Sequence, residues 1–164
     1  MTSSTARHRT RRTLTRGILV GHGTDAFERA AQRLMTWQVH RDSGLAVDAS
    51  APRAAPGVTV RLTLRLGPLR VVAPCRVVGV CAEATERGFT YETLPGHPED
   101  GVEHFRVSLG PDGTVRAVVH AESRPASALA RAGGPVTLLL QRRQTDRYLR
   151  ALRGRAGGGV SPPG

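Results

Sequence analysis

The chain has 164 residues and a mass of 17.5 kDa, a length that suits one domain and excludes both a two-domain dinucleotide-binding enzyme and a barrel of eight βα units. Its formal charge of +11 is carried wholly by arginine, since the sequence has no lysine, and only 4% of the residues are aromatic, so a core must be built mainly from Val, Leu and Ala. The charge is uneven: residues 1–16 and 142–164 are strongly basic, whereas 17–141 are almost balanced.

In chain order, residues 1–13 read as a polar, basic, disordered tail, and 14–20 as a first strand closed by Gly21-His22-Gly23. Asp25 and Glu28 have the spacing of a capping box, and Phe27, Ala30, Ala31, Leu34 and Trp37 recur at helical spacing, which predicts one helix running to about His40. A short edge strand is expected at 45–49. The clearest strand is 58–66, where Val58, Val60, Leu62, Leu64 and Leu66 alternate with Thr59, Arg61, Thr63 and Arg65, so one face is buried and the other wet. Residues 69–83 form a longer strand in which Pro74 calls for a bulge or an edge. Further strands fall at 89–94, 103–109 and 115–123, with a Pro-rich loop at 95–101 and a hairpin turn at Pro111-Asp112-Gly113. Residues 126–131 suit a short helix. A last helix, with Pro135 in its first turn, runs to about Arg153 and sets Leu138, Tyr148, Leu149 and Leu152 on one stripe with Gln141 and Thr145. Residues 154–164 read as a second disordered tail.

This order predicts an α+β domain over 14–153: a seven-stranded antiparallel sheet wrapped around a long C-terminal helix, with one helix between the first two strands. It resembles the helix-grip arrangement of the Bet v 1 and START-related proteins, which implies a cavity between sheet and last helix.

The segment Tyr91-Glu92-Thr93-Leu94-Pro95-Gly96-His97-Pro98-Glu99-Asp100-Gly101-Val102-Glu103-His104-Phe105 resembles the signature of the uncharacterised DUF1990 (UPF0548) family. The same resemblance extends to Gly21 and Gly23 before a helix carrying Trp37, to Pro74-Cys75-Arg76-Val77, to Ser123-Arg124-Pro125, and to Gly134-Pro135 with Gln141 and Tyr148, and so covers about residues 14–153. Glu92 stands where the family pattern has Gly, and Val102 where it has Glu. The resemblance implies a helix-grip fold and assigns no reaction.

Chemistry concentrates at the Pro-rich loop. Glu103 shares parity with Phe105, Val107 and Leu109 and therefore points to the apolar face, where a carboxylate is costly unless it is paired or hydrogen-bonded. His97, Glu99 and His104 are near in sequence, and Arg76 and Arg124 on neighbouring strands could reach it. Three functions follow from these residues. The first is a binding module for a small, mostly apolar ligand, with Glu103, Tyr91, His97, Trp37, Gln141 and Arg124 as ligand-binding candidates. The second is an enzyme of the cyclase, hydratase or hydrolase type in the same cavity, with Glu103 and His97 as acid and base. The third is a peripheral binder of nucleic acid or anionic lipid through the Arg-rich termini, although no aromatic residue interleaves with those arginines to stack bases.

No cofactor and no metal are expected. Gly21-His22-Gly23 lacks a phosphate-loop pattern, no G-x-S-x-G is present, and His97, Glu99, Glu103 and His104 match no zinc spacing. Cys75 and Cys81 form no CxxC motif and are too far apart along one strand for a disulfide. No apolar run approaches the roughly 18 residues of a membrane-spanning helix. The N-terminus has no apolar signal core, so a cytoplasmic setting with both thiols reduced is expected.

Overall fold

The computed structural model describes residues 11–126 and 134–153, the side chains of 134–139 excepted. Seven strands form one antiparallel sheet: β1 (Arg12–His22), β2 (Ala46–Ala49), β3 (Thr59–Leu66), β4 (Leu69–Ala82), β5 (Glu86–Thr93), β6 (Glu99–Leu109) and β7 (Thr114–Pro125). Their order across the sheet is β1-β7-β6-β5-β4-β3-β2. From β2 to β7 the chain is a meander of neighbouring strands, and β1 returns to close on β7. Helices α1 (Thr24–Met35) and α2 (Gln38–Asp42) link β1 to β2, and α3 (Gly134–Arg153) follows the sheet. The expected helix-grip fold is therefore observed.

Alternation explains which face is covered. On β7, Val115, Ala117, Val119 and Ala121 are buried while Arg116, Val118 and Arg124 are exposed. On β3, Val60 and Leu62 are buried between exposed Thr59 and Arg61. The helices lie over the buried face, where Phe27, Leu34, Trp37, Val39, Phe89, Phe105, Val107, Tyr148, Leu149 and Leu152 make one core. Full burial of each large apolar side chain contributes about 1.5–3 kcal/mol before the entropy of ordering is charged against it.

Four local expectations need correction. The N-terminal helix is not continuous to His40: it breaks at Thr36-Trp37, and Trp37 adopts a left-handed φ of 65° before α2 begins. The core imposes that conformation, because Trp37 is fully buried and its indole Nε1–H donates to the carbonyl of Ala51 at 3.1 Å. Asp25 and Glu28 form no capping box, since the N-cap is Gly23 and no side chain caps the helix. β6 begins at Glu99, four residues earlier than expected, so part of the Pro-rich loop is strand paired to β7. β1 begins at Arg12, inside the stretch read as a tail.

Pro74 sits within β4 without a register shift of its own; the irregularity falls between Val77 and Gly79. The carbonyl of Pro74 accepts from Leu94 N–H at 2.9 Å, just past the end of β5, so its missing N–H faces the side where no strand remains. The short helix expected at 126–131 and the basic tails at 1–10 and 154–164, with the nucleic-acid or lipid contacts proposed for them, lie outside the described residues.

Candidate functional site

The inner stripe of α3 changes chemistry along its length. Tyr148, Leu149 and Leu152 are buried in the core, whereas Gln141, Gln144 and Thr145 come earlier on the helix and hold it to the rest of the domain by polar contacts. Gln141 Nε2 donates to Ser123 Oγ on β7 at 3.3 Å, and Gln144 Nε2 donates to Ser43 Oγ at 2.8 Å. Thr145 Oγ1 turns back to the Gln141 carbonyl at 3.0 Å. Under this polar part of the helix the sheet is not filled. A cavity of about 180 Å³ remains, walled by Leu62, Leu64, Val71 and Ala73 of β3 and β4 and closed by residues from β5, β6, β7 and α3. An apolar hole of about 150 Å³ is large enough to take benzene.

Glu103 and Tyr91 stand directly opposite each other on β6 and β5, and both face this cavity. The Tyr91 hydroxyl donates to Glu103 Oε2 at 2.7 Å. Burial raises the Glu103 pKa to about 7, only partly opposed by that hydrogen bond. The same burial, with the Glu103 charge beside them, drives the phenols of Tyr91 and Tyr148 and the thiol of Cys75 well above their ordinary values. Cys75 is thus an inert thiol buried in the core.

His97 and Glu99 complete the polar lining. The backbone N–H of Glu99 donates to His97 Nδ1 at 2.9 Å, which leaves the ring proton on Nε2. Burial lowers the His97 pKa to about 4, so the ring is neutral at neutral pH. Glu99 is only 7% exposed, and neither carboxylate oxygen has a hydrogen-bond partner among the described residues. Burial raises its pKa, opposed by the nearby Ser123 hydroxyl, which falls short of hydrogen-bond geometry, and by the Arg12 charge. The strand can bring these groups so close to β7 because Gly101 has no side chain: a Cβ there would collide with the Glu122 carbonyl oxygen.

Four of the six side chains singled out in the sequence, Glu103, Tyr91, His97 and Gln141, meet at this cavity. Trp37 does not: it is sealed in the core against Phe89 and His40. Arg124 lies on the wet face of the sheet, where it pairs with Asp100 at 2.5 Å, and Arg76 approaches Glu92 at 3.9 Å on the same outer face, so neither neutralises Glu103. His104 is likewise turned outward, bonded to Thr90 and facing His120.

The sequence places Glu99 near Glu103 and Tyr148 on the inner stripe of the last helix without marking either as a ligand contact, and it does not single out Gln144 or His40. Glu99 has the parity of Glu103 and becomes readable once the strand is extended through the prolines. His40 carried no signal. It is fully buried between the rings of Trp37, Phe89, Tyr91, Phe105 and Tyr148, neither ring nitrogen is hydrogen-bonded, and burial lowers its pKa to about 3.

The fold is the helix-grip arrangement that Bet v 1-like proteins share. The family described as "Domain of unknown function (DUF1990)" matches residues 3–151, and the chain belongs to that family. A UPF0548 protein of Deinococcus radiodurans is 33% identical over 150 residues, covering 85% of this chain and 76% of that one. Among solved structures, the ZhuI aromatase/cyclase from Streptomyces sp. R1128 superposes with a TM-score of 0.64 at 17% identity, over 92% of this chain and all of that one (100%). A point mutant of Thalictrum flavum norcoclaurine synthase, in complex with a transition-state analogue, gives a TM-score of 0.59 at 9% identity over 87% of this chain and 94% of that one. At these identities the two structures speak for the fold alone. No helix among the described residues is long and apolar enough to cross a membrane.

Proposed function

We propose that the protein binds a small, mostly apolar ligand in the cavity between the sheet and α3, with Glu103, Tyr91, His97 and Gln141 as its polar contacts. The observation that carries this reading is the Glu103–Tyr91 pair: an acid in an apolar wall, with no cation against it among the described residues. A buried, uncompensated carboxylate costs stability that an apolar residue of similar volume would not. Such a cost is retained where the group has work to do on something that enters the cavity. The relatives in the solved structures support a ligand-holding use of the fold, because one is named a cyclase and another was captured with a transition-state analogue. A reduced, cytoplasmic setting, in keeping with the free Cys75 and Cys81, belongs to the same proposal.

The test is native mass spectrometry of the protein purified gently from its own cells, beside an Ala73→Phe variant. Ala73 lines the cavity without being part of the sealed core. The expected result is a bound small molecule on the natural chain that the Ala73→Phe chain lacks. An empty natural chain, or equal loading of both, contradicts the reading.

Catalysis in the same cavity is a second reading, and one observation favours it. A Glu with a pKa of about 7 exchanges its proton at neutral pH, which suits a general acid or base. His97, held neutral down to about pH 4, would then act as a hydrogen-bond donor through Nε2 and not as the partner acid. A turnover rate that titrates near neutral pH and is lost in Glu103→Gln would support this; a rate that persists in that variant would end it.

A further inference from the structure

The wall of the cavity contains two carboxyl groups and no cationic side chain among the described residues. One of them, Glu99, is more than nine-tenths buried and has both oxygens without a hydrogen-bond partner. The other, Glu103, has the Tyr91 hydroxyl as its one hydrogen-bond partner among the described residues, through Oε2. The one guanidinium felt at this wall is that of Arg12 on β1, and it acts on Glu99. The remaining polar groups are neutral: the phenols of Tyr91 and Tyr148, the amides of Gln141 and Gln144, and the imidazole of His97.

This lining is one-sided in charge. A ligand carboxylate or phosphate entering it would leave water to face two acids, with Arg12, felt by Glu99, as the one guanidinium near the wall among the described residues. A ligand ammonium would meet a hydrogen-bond acceptor of opposite charge in an apolar surround, where such a pair is stronger than in water. A hydroxyl would find the same acceptor without the charge. We infer that the cavity takes amines carried on a small apolar body, with the ammonium on Glu103, and turns away carboxylates of the same shape.

The inference rests on the reading of the cavity as a ligand site, and it adds a direction with pH. Among the described residues, the titratable and charged groups around Glu103, Tyr91 and Glu99 are Arg12 of β1, which acts on Glu99, His40 of α2, Cys75 of β4, His97 before β6 and Tyr148 of α3. His40 and His97 are neutral above their lowered pKa values of about 3 and about 4. The phenols and Cys75 are pushed up and stay protonated. Glu103 is therefore the group that changes charge near neutrality.

Isothermal titration calorimetry of the full chain with octylamine, 1-octanol and octanoate tests this. At about pH 8 octylamine is expected to bind at least tenfold more tightly than octanoate, with octanol between them. Octylamine binding should weaken about tenfold on going to about pH 6, as Glu103 takes up its proton, while octanol binding stays level. Glu103→Gln should lower octylamine to the affinity of octanol and abolish its pH dependence, and retained octanol binding reports that the variant is folded with its cavity intact. Octanoate binding as tightly as octylamine overturns the amine preference and leaves the cavity reading standing. Failure of all three probes to bind overturns the cavity reading itself.

Discussion

The buried face of the sheet is covered in two different ways. Under α1 and α2 it is packed solid: Trp37, His40, Phe89 and Phe105 interlock in edge-to-face, tilted and stacked pairs, at ring separations of 5.2–6.0 Å. Under the first described turns of α3 the same sheet faces a hole lined by Leu64, Val71, Ala73 and Glu103. The difference lies in the side chains offered from above. The solid half receives large rings. The open half receives Gln141, Gln144 and Thr145, which reach sideways to Ser123, Ser43 and the helix backbone and do not fill the space below. Stability is made in the first half, and chemistry is exposed in the second.

That division predicts the largest effect where packing is complete. Trp37→Ala removes a fully buried indole and its bond to Ala51, and should cost about 3–5 kcal/mol in urea unfolding. A cost below about 1 kcal/mol would mean that this half is as loose as the other.

Glu103→Gln should act in the opposite direction. The folded-state pKa of Glu103 is raised from 4.5 to about 7, so the native chain holds a proton that the unfolded chain has lost between those values. Stability therefore falls as pH rises through that window. The variant should be about 3 kcal/mol more stable than the natural chain at about pH 8, and level with it below about pH 4.5. Equal stability at both pH values would mean that the acid is well hydrated.

His40 sharpens the contrast from the solid side. Its pKa is lowered from 6.5 to about 3, so the unfolded chain takes up the proton first as pH falls, and stability is lost from about pH 6.5 downward. His40→Leu, close in volume and without the two unpartnered ring nitrogens, should be about 3 kcal/mol more stable than the natural chain near pH 4.5. The advantage should shrink toward pH 7, and denaturation curves at the two pH values would show it.

The sheet was legible because alternation is a local property. Residues 58–66 and 115–123 state their buried face directly, and the parity of Glu103 with Phe105 and Val107 was enough to turn it inward. The same counting, applied to Arg76 and Arg124, puts both on the wet face and would have kept them away from Glu103. The break at Trp37 was not legible, because the helical spacing of apolar residues runs through it. What ends the helix there is a tertiary demand, the burial of the indole over Phe89, that no neighbouring residue announces. His40 depends on that break for its place among the rings. Glu99 was hidden for a different reason: the prolines at 95 and 98 read as loop, and the strand begins immediately after the second of them.

Glu103 sits in an apolar cavity with no cation among the described residues to hold its charge. Carboxyl-carbon NMR of the labelled protein follows that group directly through a pH titration, with Glu103→Gln to assign the signal. The account predicts a midpoint near 7, well above that of ordinary glutamates, accompanied by a shift at the Tyr91 ring. A midpoint at the ordinary value of about 4.3 would contradict it, because the acid would then be in water and the cavity would have no buried charge to offer a ligand.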